Sequence, residues 1–302
     1  MEELERAANL KRILESPSYR VAYQDLDFLT DPKLRPTRME LELLKPELAF
    51  ERLNITATIV VFGGTRIVER AHAESQLRQA EAKLRQDPHN GKLQRQVAVA
   101  QRLVAKSRYY DVAREFANIV SRACTTEGRC NYVICTGGGP GIMEAANRGA
   151  YDAGAKSIGL NIRLPMEQQP NPYITPELCF QFRYFALRKF HFLLRAKALV
   201  VFPGGFGTLD ELTDALTLRQ TRRMQPIPII IFGKEYWERV LDFQYLADEG
   251  VIDDEDLNLF EFAETAQEAW DSICRFHEAA SQPPVHPANH LDNGFGDHLT
   301  GH

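Results

Sequence analysis

Apolar residues fall along this chain in short continuous runs, and several of those runs end in glycine. Ala57-Thr58-Ile59-Val60-Val61-Phe62 closes on Gly63-Gly64-Thr65-Arg66. Tyr132-Val133-Ile134-Cys135 leads through Thr136 into Gly137-Gly138-Gly139-Pro140-Gly141. Ala198-Leu199-Val200-Val201-Phe202 leads into Pro203-Gly204-Gly205-Phe206-Gly207-Thr208. A continuous apolar run ended by glycine predicts a strand of a parallel sheet, buried on both faces. Residues 157–162 and 228–232 read the same way, and 178–182 is a shorter candidate. Between them the pattern is helical, at about 142–150, 185–196, 236–241 and 266–279. Strands alternating with helices predict an α/β fold: a doubly wound parallel sheet with helices on both faces and right-handed crossovers.

The pattern also divides the chain. Residues 1–54 form a polar, proline-punctuated arm, in which 26–29 and 41–44 are candidate short helices packing on a core. The main domain spans about 55–280. Within it, Asp87-Pro88-His89-Asn90-Gly91 breaks a helical stretch into two arms. Leu77 and Leu84 lie on the first arm, and Leu93, Val97, Ala100 and Val104 on the second. Their stripe is narrow and the other faces are polar. The expectation is a helical hairpin inserted at about 68–108, packed on itself or on a partner subunit. Residues 281–302 lack periodicity and read as a loose tail, whose His286, His290, His298 and His302 show no metal-ligand spacing.

Composition adds mainly exclusions. The 302 residues are 44% hydrophobic and 25% charged with a formal net charge of −5, so no global basic field points to nucleic acid. No apolar run approaches the roughly 20 residues of a membrane span. Met1-Glu2-Glu3-Leu4-Glu5-Arg6 is unlike a secretory leader, and a cytoplasmic location is expected. The cysteines (Cys124, Cys130, Cys135, Cys179 and Cys274) are odd in number and include no C-x-x-C pair. They read as free thiols with no metal role.

The glycine turns carry the candidate chemistry. A turn between a strand and a helix aims backbone N–H groups and the positive end of a helix dipole at one spot, which suits a phosphate. Glu211 stands on the first helical turn beside that spot. Neither main loop is a common nucleotide fingerprint. Gly141 is followed by Ile142-Met143 rather than Lys-Ser/Thr, and the sixth place of a pattern begun at Gly137 or Gly205 is Ile142 or Asp210 rather than glycine. Arg188, near the start of its helix, lies at the same sheet end as the 204–208 loop. Arg195 shares its helical face, with His191 between them.

Arg188-Lys189, a spacer, and then Pro203-Gly204-Gly205-Phe206-Gly207-Thr208-Leu209-Asp210-Glu211 resembles the paired signature of the Lonely Guy (LOG) family. Gly137-Gly138-Gly139-Pro140-Gly141-Ile142-Met143-Glu144-Ala145 resembles its second loop, and Val61-Phe62-Gly63-Gly64-Thr65-Arg66 its first strand and loop. The likeness covers about 55–280. It implies a Rossmann-like fold, a homodimer or larger assembly, and a phosphoribohydrolase that cleaves a nucleoside 5′-monophosphate to free base and ribose 5-phosphate, with no cofactor. It further implies that Arg188 and Glu211 are catalytic. Gly204, Gly205, Gly207 and Thr208 would hold phosphate, and Gly137, Gly138, Gly139 and Lys189 would complete substrate binding. The chain departs from the family pattern at Phe192, where methionine is common, and at Thr136, where many members carry an aromatic residue. The arm and the hairpin are extra.

Cleaving a ribosyl C–N bond builds positive charge on the sugar, which a carboxylate such as Glu211 would stabilise while orienting water. Arg188 would contact phosphate or ribose hydroxyls, or hold Glu211 ionised. The base is open among adenine, prenylated adenine and pyrimidine. Two rivals stand beside this reading. One is a non-catalytic nucleotide-binding or carrier protein on the same fold. The other is a decarboxylase, an older label of the family, which would need pyridoxal on a lysine such as Lys189.

Overall fold

The computed structural model describes residues 2–125, 130–165 and 169–281. The glycine-ended runs become strands β1 (Ala57–Phe62), β2 (Tyr132–Thr136), β3 (Ser157–Ile162), β4 (Cys179–Phe182), β5 (Ala196–Val201) and β6 (Ile229–Phe232). A seventh strand, β7 (Glu261–Ala263), was not expected: three residues are too few to show a period. All seven are parallel in one sheet, in the order β4-β3-β2-β1-β5-β6-β7. The helices are α1 (Glu2–Glu15), α2 (Leu26–Thr30), α3 (Arg35–Arg52), α4 (Arg70–Gln86), α5 (Gly91–Lys106), α6 (Arg108–Thr125) and α7 (Ile142–Asp152). They continue with α8 (Phe185–Leu194), α9 (Phe206–Gln220), α10 (Lys234–Val240), α11 (Phe243–Asp248) and α12 (Ala266–Ser281). Among the described residues no helix is long and apolar enough to cross a membrane.

Strand alternation sorts the core into two layers. Ile59, Val61, Ile134 and Val200 face a cluster with Phe116, Ile142 and Trp270 from α6, α7 and α12. Val60, Phe62, Ile158 and Val201 face the opposite cluster with Phe50, Phe192, Leu212 and Trp237 from α3, α8, α9 and α10. Every residue of β1 is buried, as a central parallel strand with both faces covered requires. Strand order reverses between β1 and β5, so the crevice for a ligand opens beyond the ends of those two strands.

The structure corrects several expectations. Cys124, at the end of α6, and Cys130, just before β2, form a disulfide with a Cα–Cα distance of 4.4 Å. The end of α6 and the start of β2 lie close enough to put the two Cα atoms within bridging range, which their spacing alone did not reveal. Cys135 and Cys179 remain thiols. In the arm, residues 41–44 belong to the eighteen-residue α3, which runs through Pro46. Leu41 and Leu44 stay exposed (53% and 43%), and the packing is made by Ala49 and Phe50. The helix before β5 ends at Leu194 because Arg195 leaves helical geometry (φ −114°, ψ 7°).

The hairpin of α4 and α5 turns at 87–90, where the Asn90 side chain accepts from the N–H groups of Lys92 and Leu93 and caps α5. Its two helices lean chiefly on each other, and Ala73 is the one fully buried residue between them. The tail, with its four histidines, lies outside the described residues.

Candidate active site

At the switch point a cavity of about 310 Å³ opens over the ends of β1, β2, β3 and β5. Gly63, Gly64 and Thr65 form its floor beyond β1. Gly137 and Asn161 line it from β2 and β3, and Phe185, Arg188 and Phe192 from α8. The remaining wall is the start of α9, with Gly205, Gly207, Thr208 and Glu211.

The turn into α9 is fixed from behind. Phe202 N–H donates to Phe62 carbonyl (2.8 Å), and Gly64 N–H donates to Pro203 carbonyl (2.9 Å), which ties the β5 turn to β1. The Tyr236 hydroxyl donates to Gly204 carbonyl at 2.5 Å. The glycines of this turn serve different ends. A Cβ on Gly204 would collide with the Thr208 side chain, so Gly204 is required by packing. A Cβ on Gly205 or Gly207 would meet nothing within 4 Å, so their bareness leaves open room at the N-terminus of α9. That terminus has no side-chain cap, so its forward amides and dipole face the cavity.

Arg188 and Glu211 meet across the cleft. One guanidinium Nη2 donates to Oε1 at 3.3 Å, with 13% and 6% of the two side chains exposed. Burial pushes the Glu211 carboxyl up to about 7, against the opposing pull of Arg188 and Lys189. Burial likewise lowers the Arg188 guanidinium from its usual range, although Glu211 draws it back up. The Arg188 Nε is buried and has no hydrogen-bond partner. This pair is desolvated and incompletely bonded, the state in which an added polar ligand gains most. A carboxyl that titrates near neutrality can also exchange a proton at working pH.

Helix α3 aligns the helix that carries Arg188. The Glu42 carboxylate accepts from the N–H groups of Arg183 (3.0 Å) and Tyr184 (3.2 Å), just ahead of α8. At the other end, Glu47 takes both terminal nitrogens of Arg195, at 2.6 and 2.7 Å, and lies 3.2 Å from His191 Nδ1. Arg195 and His191 therefore face α3, while Arg188 alone of that trio faces the cleft. Sequence reasoning put the three on one face. The break at Arg195 and the breadth of the helical surface separate them.

The second glycine loop is held by a buried polar network with no sequence signature. Asn147 Oδ1 accepts from Thr136 (2.7 Å) and from Asn171 Nδ2 (2.9 Å). Asn171 also donates its backbone N–H to Gly138 carbonyl (2.8 Å) and its Nδ2 to Gly139 carbonyl (3.1 Å). Thr136 Oγ1 accepts from Gly138 N–H at 3.0 Å. The bonds to Gly138 and Gly139 fix the loop backbone, the side-chain bonds through Asn147 tie them together, and Gly137 is left facing the cavity. Two asparagines and a threonine spread over 136–171 carry no spacing that could have marked them.

The sequence profile of the family described as "Possible lysine decarboxylase" matches residues 143–273, a stretch that contains both Arg188 and Glu211. The chain is 26% identical over 173 residues to the "Probable cytokinin riboside 5′-monophosphate phosphoribohydrolase" of Oryza sativa subsp. japonica, covering 56% of this chain and 77% of that one. It is 31% identical over 122 residues to the "Pyrimidine/purine nucleotide 5′-monophosphate nucleosidase" of Escherichia coli (strain K12), covering 36% and 26%. These matches relate the chain distantly to the LOG family.

Among solved structures, the molybdenum cofactor carrier protein from Chlamydomonas reinhardtii is similar at 18% identity and a TM-score of 0.42, over 75% of this chain and 99% of that one. The two LOG signature segments meet in the cleft only in part. Arg188, Glu211, Gly137, Gly205, Gly207 and Thr208 line it. Gly138 and Gly139 are buried behind the loop, and Gly204 faces the opposite side of its turn. Lys189, next to Arg188 in the LOG signature, points away. Its Nζ bonds Asp210 (3.1 Å) and lies 3.4 Å from Asp214, outside the cavity lining. The cleft also contains Asn161 and Phe185, which the sequence did not single out. The profile match begins beyond β1, the arm and the hairpin.

Proposed function

We propose that this protein hydrolyses the N-glycosidic bond of a nucleoside 5′-monophosphate, AMP or a cytokinin ribotide. The observation that carries the reading is the buried, singly bonded Arg188–Glu211 pair beside the unfilled start of α9. In this reading the 5′-phosphate sits on the 205–208 turn, where Thr208 and the first amides of α9 supply donors. Held there, the sugar is presented to Glu211. The C1′–N bond breaks with its electron pair leaving on the base. The carboxylate stabilises the positive charge at C1′ and orients a water, whose oxygen bonds to C1′. One water proton ends on the departing base, and the products are free base and ribose 5-phosphate. Arg188 holds Glu211 ionised and offers its remaining donors to phosphate or ribose oxygens. The exposed aromatic ring of Phe185 on the cleft wall suits the flat face of a base.

The test is purified protein with AMP, followed by chromatography for adenine and ribose 5-phosphate, and then the same with a cytokinin ribotide and a pyrimidine monophosphate. Release of base from one of them supports the reading. Binding of all without release would replace it with the carrier reading. Homo-oligomeric assembly belongs to the same proposal and is checked by light scattering, where a monomer mass would remove it.

A further inference from the structure

A second cavity, of about 370 Å³, lies on the other side of the 203–205 turn. It shares Gly64, Thr65 and Gly205 with the candidate active site, so the two recesses are separated only by that turn. Its far wall comes from the inserted hairpin, where Val99, Arg102, Leu103 and Lys106 of α5 face it. Arg66, from the loop after β1, closes the edge.

Three cations converge here and no acidic residue lines the recess. Among the described residues Arg66, Arg102 and Lys106 make no ion pair, and the contact recorded for Lys106 is with the ring of Tyr236, 5.6 Å from its centroid. The backbone acceptors of the turn are already engaged. Pro203 carbonyl accepts from Gly64 N–H, Gly204 carbonyl from the Tyr236 hydroxyl, and Gly205 carbonyl from the amides of Thr208 and Leu209. The recess therefore presents positive charge with no carboxylate in its lining. Other cations of the chain do have carboxylate partners, as Lys189 has Asp210 and Asp214 and Arg114 has Asp152, so what marks the recess is the convergence of three unpaired cations on one glycine turn. Arg102 and Lys106 stand four residues apart, so they share one face of α5, and that face is the one turned to the glycine turn.

We propose that this recess is an anion subsite for a phosphate group, contiguous with the cleft and built by the hairpin. The phosphate is either the terminal phosphate of a nucleoside diphosphate whose inner phosphate rests on the 205–208 turn, or a free pyrophosphate or phosphate ion. For the first source the inference rests on the functional reading above. For the second it does not.

The experiment is calorimetric binding of AMP, ADP and pyrophosphate at about 0.1 M salt, where long-range surface effects are screened. It compares the full chain with the double variant Arg102→Gln, Lys106→Gln. Both positions are on a solvent-facing helix and glutamine is a good helix former, so the fold should hold. A control double variant, Lys92→Gln, Arg95→Gln, removes the same charge from the same helix outside the recess. ADP affinity should fall about tenfold or more in the recess variant, the loss expected for charge-assisted bonds, while AMP affinity is unchanged. A fall for pyrophosphate with ADP unaffected would assign the subsite to a free anion. Loss confined to ADP would assign it to the substrate's own phosphate. Equal losses in the control variant, or no binding of ADP and pyrophosphate beyond what the recess variant retains, would overturn the proposal. AMP bound but not cleaved would count against the hydrolase reading alone. AMP cleaved with no anion effect would count against the subsite alone.

Discussion

The two ends of α8 carry the same pair of residue types with opposite electrostatics. At the C-terminal end, Glu47 grips both terminal nitrogens of Arg195 at 2.6 and 2.7 Å. Those hydrogen bonds hold the Glu47 carboxyl below its usual range, although partial burial pushes the other way. Near the N-terminal end, Arg188 reaches Glu211 through one bond of 3.3 Å and leaves its Nε unpartnered. There burial prevails and lifts Glu211 to about 7. The saturated pair fastens the arm to the core. The unsaturated pair keeps lone pairs and donors for something the protein itself does not supply, and it lies on the cleft. Unmet hydrogen bonding, rather than the presence of an arginine and a glutamate, is what distinguishes the pair on the cleft.

The sharpest way to break this comparison is to remove the charge at each end. Glu211→Gln should lower kcat/KM for AMP by about 10²–10⁴-fold, the usual range for a group acting on the reacting centre. Its melting temperature should stay at or above that of the parent, because a carboxylate that burial disfavours contributes little to the fold. Full turnover by this variant would end the catalytic assignment. A large drop in melting temperature would show that the two ends are alike after all.

Next in size is Glu47→Ala. It leaves the Arg195 guanidinium, with 21% of its side chain exposed, without its two bonds. Urea unfolding should show a loss of about 2 kcal/mol, the scale for hydrogen bonds to a charged group. Activity per folded molecule should change far less than in Glu211→Gln. No change in stability would mean that the saturated pair is ornamental.

Acidity separates the ends in opposite directions. Glu211 has a raised folded value, so its contribution to stability is full below the ordinary carboxyl value of 4.5 and is lost as pH rises through about 7. Glu47 has a lowered folded value, so its contribution is present above 4.5 and is lost as pH falls through that lowered value. If the ionised carboxylate is the working form, kcat/KM for AMP should rise with pH up to about 7 and then level off. An acid limb centred near 4.5 would show that Glu211 is not the group being titrated.

The sheet was legible because a strand buried on both faces must be apolar at every position, as in 57–62. β7 was not, because Glu261-Phe262-Ala263 is held by its neighbour β6 and by Ser272, which bonds Glu261 at 2.6 Å, rather than by its own composition. In the cleft, the glycine turn and Glu211 could be read as one local segment. Arg188 could be added because a helix preceding a parallel strand runs antiparallel to it. The Asn147–Asn171 network, the disulfide between Cys124 and Cys130, and the clamp of α3 on α8 join residues whose pairing no local spacing marks. Polar residues at irregular spacing give no period to detect. The arm and the hairpin looked alike as additions, yet one fastens the helix bearing Arg188 and the other packs on itself.

The smallest expected effect bears on that last contrast. Glu42 caps the entry of α8 from α3, accepting from two backbone amides, and it touches neither the cleft nor the Arg195 pair. Glu42→Ala removes both acceptors and should cost about 1 kcal/mol, the usual worth of a helix cap. If α3 acts on the site through α8, the frayed first turn should also raise KM for AMP by a few-fold, since Arg188 sits one turn in from that end. A matched change on the hairpin, Asn90→Ala at the cap of α5, should cost similar stability and leave KM for AMP unchanged. Equal effects on KM from the two caps would show that α8 is not the channel, and that any loss of helix order around the sheet is felt at the cleft.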